Sequence, residues 1–273
     1  MGSYRLIALD MDGTLLNSQL AVSPGNRDAI HRAADAGRQI VISTGRCLAE
    51  ICDTLKVLPE IRYLVCENGC CVYDCAREAA IHVDPISAQE VLEILEEAKR
   101  EKTVVQVFSN NQSYFVEKDD GWLEACGVAN YRQLFHACST FDEHFFDDFA
   151  EKPFQVEKIN LYFESVEARD RVKERLSGHP LSVSDSLGYM IELISDVADK
   201  GRGLRMLCEH LDIPVEETIA VGDSMNDISI LQTAGFSAAM GNACHDAKEA
   251  ADFITDDCDH DGVARVINEY LMA

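Results

Sequence analysis

Ile7-Ala8-Leu9-Asp10-Met11-Asp12-Gly13-Thr14-Leu15 is a short apolar run that ends in two carboxylates one residue apart and a glycine turn. The apolar residues suit a buried strand. Side chains alternate along a strand, so Asp10 and Asp12 leave its end pointing the same way. Two converging carboxylates repel each other unless a proton or a cation sits between them. The pair therefore points to a divalent metal site or to a nucleophile with a neighbouring acid/base, and its hard oxygens favour Mg²⁺. The same Asp-x-Asp-Gly stretch also occurs in plain surface turns; its place directly after a buried strand is what argues for chemistry.

Working outward, three more pieces follow apolar runs or open helices. They are Ser43-Thr44-Gly45-Arg46, Lys200-Gly201, and Gly222-Asp223-Ser224-Met225-Asn226-Asp227. Strand and helix patterns alternate at both ends of the chain, with strands expected at 5–9, 39–43, 63–66, 218–221, 237–240 and 253–255. That alternation predicts an α/β fold, a doubly wound parallel sheet covered by helices on both faces. Ser23-Pro24 reads as a helix cap followed by proline at the first helical position, with Gly37 as the stop. Residues 261–271 read as a final amphipathic helix.

The middle of the chain reads differently. A helix at 87–102 is followed by strand-like runs at 104–108 and 113–117, a polar and aromatic stretch, and a strand at 158–163. A helix at 166–176 and strand runs near 181–184 and 189–194 complete it. This predicts an α+β module at 84–188 inserted into a core made of 1–83 and 189–273, with short hinges at the joins.

The four motifs, in this order and at both ends of the chain, resemble the haloacid dehalogenase superfamily of phosphohydrolases, and within it the Cof-type branch with a large inserted cap. Glu67-Asn68-Gly69 and Met240-Gly241-Asn242-Ala243 look like that branch as well. The resemblance implies a Rossmann-like core whose inserted module covers the active site. It implies that Asp10 is the nucleophile that forms an aspartyl-phosphate, and that Asp12 protonates the leaving oxygen and later activates water. Thr44 and the Gly45 N–H would hold phosphate at a helix N-terminus, and Lys200 would supply a point charge. Asp223 would complete the Mg²⁺ site with Asp10 and the backbone carbonyl of Asp12. Asn226 is expected to face phosphate or order the site rather than merely cap a helix, and Asp227 to support Asp223 or Lys200 from behind. Arg46 pairs with substrate or cap, or is a solvated helix-start arginine. Asn68 and Gly69 are expected on a loop beside the site, in contact with cap or substrate, and Asn242 to order a loop.

The whole chain narrows the remaining choices. At 273 residues it exceeds the usual single domain, and a hydrophobic fraction of 47% supports a sizeable core. Asp and Glu number 48 against 24 Lys and Arg, a formal net charge of −24, which disfavours a nucleic-acid partner. The 11 cysteines are an odd number with no secretory signature, and no apolar run approaches membrane-spanning length. The expectation is a cytoplasmic protein with no membrane partner, a monomer or homodimer acting on a small phosphorylated metabolite. Cys66, Cys70, Cys71 and Cys75 read as packing residues rather than a zinc site. Trp122 and the stretch 141–149 likewise read as packing.

These readings converge on a Mg²⁺-dependent phosphatase of a sugar phosphate or cofactor-type phosphate. Two alternatives stand beside it: a phosphosugar mutase on the same core, and a phosphometabolite-binding protein without catalysis. Asp199, an acidic residue before the motif lysine, is expected to cap the helix that Lys200 opens.

Overall fold

The computed structural model of the protein describes residues 4–116, 121–186 and 189–273. The expected strand end at Glu117 and the expected join at Gly188 lie outside these residues. In chain order the elements are β1 (Leu6–Leu9), α1 (Pro24–Asp35), β2 (Gln39–Ser43), α2 (Leu48–Val57), β3 (Tyr63–Cys66), β4 (Cys71–Asp74) and β5 (Ala79–Val83). Then come α3 (Ala88–Glu101), β6 (Val104–Ser109), β7 (Gln112–Phe115), α4 (Trp122–Ala125), α5 (Arg132–Cys138), β8 (Ser139–Phe141) and α6 (Phe145–Glu151). β9 (Lys158–Tyr162), α7 (Val166–Arg175), β10 (Leu181–Asp185) and β11 (Met190–Ser195) follow. The chain closes with α8 (Lys200–Leu211), β12 (Thr218–Gly222), α9 (Ile228–Thr233), β13 (Phe236–Ala239), α10 (His245–Ala250), β14 (Phe253–Ile254) and α11 (Gly262–Val266).

Two compact units result, one of the residues up to Arg46, Ile51–Val83 and Asp199–Ala273, the other of Cys47–Glu50 and Asp84–Ala198. The first is built on an eight-stranded sheet in the order β14-β13-β12-β1-β2-β3-β4-β5. From β14 to β3 every pairing is parallel, and β1 lies in the middle between β12 and β2. All four residues of β1 and all five of β12 are buried, as strands covered on both faces must be. α1 starts as the sequence reads: Ser23 accepts from the Asn26 N–H, Pro24 follows, and Gly37 leaves the helix at φ +81°.

One part of this sheet has no counterpart in the sequence reading. β4 and β5 form an antiparallel hairpin that extends the sheet beyond β3, so the parallel sheet is finished by two antiparallel strands. The carboxyl-terminal helix also differs from a single regular helix over 261–271. Asp261 stands outside it at φ +57°, and α11 gives way to a π-type turn at Ile267–Leu271.

The second unit holds a six-stranded sheet in the order β10-β11-β9-β6-β7-β8, antiparallel except where β8 joins β7. β11 belongs to this sheet, between β9 and β10, so the unit runs on to Ala198. Alternation gives its strands two different faces. Val105, Val107, Ile159, Leu161, Ile191 and Leu193 share one apolar cluster with residues of α3, α6 and α7. Gln106, Lys158, Asn160, Tyr162 and Glu192 occupy the alternate positions. Trp122 packs among Phe115, Phe135 and Tyr162, and Phe145 and Phe149 of α6 are buried, as packing residues should be. Among the described residues no helix is long and apolar enough to cross a membrane.

Candidate active site

The parallel order places three motif residues together. Asp10, Thr44 and Asp223 follow β1, β2 and β12, which are neighbours in the sheet, so all three emerge at one carboxyl edge. Lys200 reaches the same place from the first residue of α8, a helix whose start is held by Asp199, the side chain of which accepts from the Arg202 N–H at 2.7 Å.

Lys200 is fully buried and donates to Asp10 Oδ1 at 2.7 Å and to Asp227 Oδ1 at 2.6 Å. Asp227, also fully buried, accepts at its other oxygen from the backbone N–H groups of Asp223 and Ser224, at 2.9 and 3.0 Å. Ser224 and Asp227 thereby form a reciprocal cap on the turn Met225–Asp227, so capping here is done by those two rather than by Asn226. Asp223 accepts from the Thr14 hydroxyl at 3.1 Å. Gly13 has φ +81°, and a Cβ there would stand 2.6 Å from an Asp223 carboxylate oxygen, so this turn admits only glycine while Asp223 keeps its place.

Charge in this cluster is unbalanced. Burial, with the nearby Asp227 carboxylate, pushes Asp10 well above the usual carboxylate range despite Lys200. The same two causes, burial first, push Asp223 up to about 6. Burial alone would lower Lys200, but the carboxylates of Asp10 and Asp227 outweigh it and raise it above its ordinary value. Three carboxylates around one ammonium leave an excess of negative charge that a divalent cation would relieve.

The donor set fits such a cation. Asp10, Asp223 and Asp227 each offer an oxygen, all within 4.8 Å of one another, and hard oxygens suit Mg²⁺. This is the one such group of three or more His, Cys, Asp or Glu among the described residues. Both Asp227 oxygens are already engaged, by Lys200 and by two N–H groups. Asp10 and Asp223 therefore have the oxygens to give, and Asp227 orients them.

Asp12 and Arg46 take a position that sequence reading did not anticipate. Arg46 forks onto the Asp12 carboxylate, Nε to Oδ2 at 2.8 Å and Nη2 to Oδ1 at 2.5 Å. Arg46 is thus not a solvated helix-start arginine but is tied to the first motif. Thr44 is buried, and its Oγ1 accepts from the Arg46 N–H at 3.2 Å. Asn226 donates to Asn68 Oδ1 at 3.0 Å, and Asn242 donates to the Gly13 carbonyl at 2.8 Å, which ties its loop to the first motif. The sequence reading gave Thr14 no contact, and for Asn68 it offered cap or substrate but not Asn226. Each lay inside a quoted motif, but nothing in the local pattern names a partner 209 or 158 positions away.

A family model of haloacid dehalogenase-like hydrolases matches residues 7–267. Phosphatase YwpJ of Bacillus subtilis is 31% identical, over 98% of this chain and 100% of its own. A second Bacillus subtilis protein, 5-amino-6-(5-phospho-D-ribitylamino)uracil phosphatase YcsE, is 30% identical over 98% of this chain and 96% of its own. Among solved structures, a haloacid dehalogenase-like hydrolase from Bacteroides thetaiotaomicron superposes with a TM-score of 0.86 at 27% identity, covering 97% of this chain and 98% of that one.

Proposed function

This chain belongs to the haloacid dehalogenase-like hydrolases, and from that premise we propose that it is a Mg²⁺-dependent phosphatase of a small phosphorylated metabolite, working through an aspartyl-phosphate. The observation that carries the proposal is the buried Asp10–Lys200–Asp227 chain with Asp223 beside it. It sets one carboxylate at a strand end, oriented by a fixed ammonium, within reach of a second carboxylate suited to a metal. The relatives named as phosphatases support the reaction class.

Asp10 attacks phosphorus and forms the acyl phosphate, while the bond to the leaving oxygen breaks. Lys200, on Asp10 Oδ1, fixes the rotation of that carboxylate and offers its charge to the transferring group. A Mg²⁺ held by Asp10, Asp223 and the Asp12 carbonyl would supply charge neutralisation for the phosphoryl oxygens. Thr44 and Gly45 provide the hydroxyl and N–H donors at the neighbouring strand end. Asp12 hands a proton to the leaving oxygen and then takes one from the water that attacks phosphorus, breaks the bond to Asp10 and releases phosphate. Because Arg46 donates to both Asp12 oxygens, the fork must open before Asp12 takes up a proton from solvent and passes it on, and the released guanidinium is then available to a phosphoryl oxygen.

The inserted unit, 84–188 by sequence and Asp84–Ala198 by its packing, serves as the cap that selects the leaving group. The test is phosphate release from a panel of sugar phosphates, nucleotides, pyridoxal phosphate and flavin mononucleotide, with and without Mg²⁺, on the wild type and Asp10→Asn. Release that needs Mg²⁺ and falls about 10³-fold or more in Asp10→Asn is the expected result. Appreciable turnover by Asp10→Asn would remove it as nucleophile, and a rearranged sugar phosphate without free phosphate would make the enzyme a mutase.

A further inference from the structure

Three consecutive residues, Glu67, Asn68 and Gly69, have φ of +56°, +57° and +100°. Left-handed backbone is rarely adopted by residues other than glycine, and here two of the three carry side chains and the whole turn is buried. Such a conformation persists only where its surroundings hold it, and it concentrates at functional sites. The turn is held from three sides, each of which carries a motif residue.

Its backbone binds the loop after β2. The Glu67 N–H donates to the Arg46 carbonyl at 3.1 Å and the Asn68 N–H to the Thr44 carbonyl at 3.0 Å, while the Thr44 N–H donates to Val65 just before the turn at 2.8 Å. Its glycine abuts the start of α8, since a Cβ on Gly69 would lie 2.0 Å from the Asp199 carbonyl and 2.9 Å from the Lys200 nitrogen. Its one amide side chain, Asn68, accepts from Asn226 Nδ2 at 3.0 Å. Asn68 is buried and Asn226 is exposed. Without that acceptor the Asn226 amide would turn freely, because an exposed side chain samples several rotamers.

We propose that the left-handed turn Glu67–Gly69 sets the spacing of the phosphate donors, and that Asn68 is a positioning residue that aims the Asn226 amide at the phosphoryl group. One Nδ2 hydrogen of Asn226 is spent on Asn68, and the other is thereby directed at the ligand. Asn68 touches no reacting atom in this scheme and acts through Asn226. The inference rests on the proposed phosphate role of Asn226.

The experiment is calorimetric binding of inorganic phosphate, in saturating Mg²⁺, to the full chain and to Asn68→Gly, Asn226→Ala and the double variant. Glycine is at ease at φ +57°, so Asn68→Gly deletes the amide without opposing the backbone. Each single variant is expected to raise the phosphate Kd roughly tenfold, the size of one lost hydrogen bond to a charged group. The double variant should bind no worse than the weaker single one, with unchanged circular dichroism in all three. Asn226→Ala weakening phosphate while Asn68→Gly leaves it unchanged, or the two losses multiplying in the double variant, would overturn the positioning role. Unchanged binding by Asn226→Ala would instead remove the phosphate role of Asn226, and the inference with it.

Discussion

Among the described residues two lysines are buried, and their surroundings are opposites. Lys200, with none of its surface exposed, stands between Asp10 and Asp227 with Asp223 beside them. Lys158, 2% exposed on the second sheet, meets Glu192 at 3.0 Å and lies over the Phe108 ring, 5.2 Å from its centroid. Its face of the sheet also carries the amides of Gln106 and Asn160 and the Tyr162 hydroxyl, which bond one another. The nearby buried Glu157 is raised by burial, yet it is met by the Asn110 N–H and the Gln155 amide. Burial of charge is therefore common to both units. What sets the first apart is three carboxylates crowded on one ammonium, with Asp10 and Asp223 both pushed upward. A structural network balances its charge, whereas an excess of like charge is the pattern that functional sites tend to carry.

The largest expected effect tests that contrast directly. Lys158→Met should destabilise the protein by about 3–5 kcal/mol, because it takes a buried cation from beside Glu192, and adding Glu192→Leu should recover most of the loss. Lys200→Met should cost a similar amount, but adding Asp10→Leu should not recover it, since Asp227 and Asp223 stay behind. Urea denaturation of the four variants reads the difference. Equal recovery in both pairs would mean that the two lysines serve alike.

A cation sharpens the comparison from the other side. Mg²⁺ at about 100 times its dissociation constant should add about 2.7 kcal/mol of stability by mass action. For a chain of this size that corresponds to a melting shift of roughly 5–10 °C. Asp223→Asn should abolish the shift and Lys158→Met should retain it. The same shift in Asp223→Asn would place the cation elsewhere.

Protons compete for the same charge. Asp223 titrates near 6 in the fold against 3.8 in the unfolded chain, so the folded form favours its protonated state. The stabilisation this contributes is fully present below 3.8 and is lost as pH rises through about 6, and the raised Asp10 acts in the same direction. In EDTA, the wild type should lose stability relative to Asp223→Asn between roughly pH 4 and pH 7, a shift of a few degrees in melting temperature. A difference that does not change with pH would show that Asp223 is not strained by its surroundings.

Much of this contrast was legible before any coordinates. Strand ends at Leu9, Ser43 and Val221 follow from buried apolar runs, and a parallel sheet brings whatever follows them to one edge, so Asp10, Thr44 and Asp223 could be grouped from sequence. Asp199 as a cap follows from residue type and position. The β4–β5 hairpin was not legible, because Cys71–Asp74 is only four residues long and β5 is an outer strand with two exposed alanines, so neither shows a clear period. The Arg46 fork on Asp12 and the Asn226 bond to Asn68 join segments 34 and 158 positions apart. Periodicity reports the face on which a residue lies, whereas such contacts depend on loop conformation, and the left-handed turn at 67–69 is set by its neighbours.

The smallest effect bears on the balanced face itself. Asn160 is buried, and its Nδ2 donates to Gln106 Oε1 at 3.1 Å, while its Oδ1 finds no donor among the described residues. Asn160→Val gives up one neutral hydrogen bond, worth about 0.5–1.5 kcal/mol, and removes a desolvated acceptor that costs about 1–3 kcal/mol. Gln106 Oε1 keeps the Tyr162 hydroxyl at 2.5 Å, so no partner is stranded by the change. A β-branched residue also suits the middle of β9, whose neighbours on both sides are strands. The two terms nearly cancel, and the urea midpoint should move by less than about 1 kcal/mol in either direction. A loss of about 2 kcal/mol or more would mean that Oδ1 is satisfied in solution, and that this face of the second sheet is organised around something it binds.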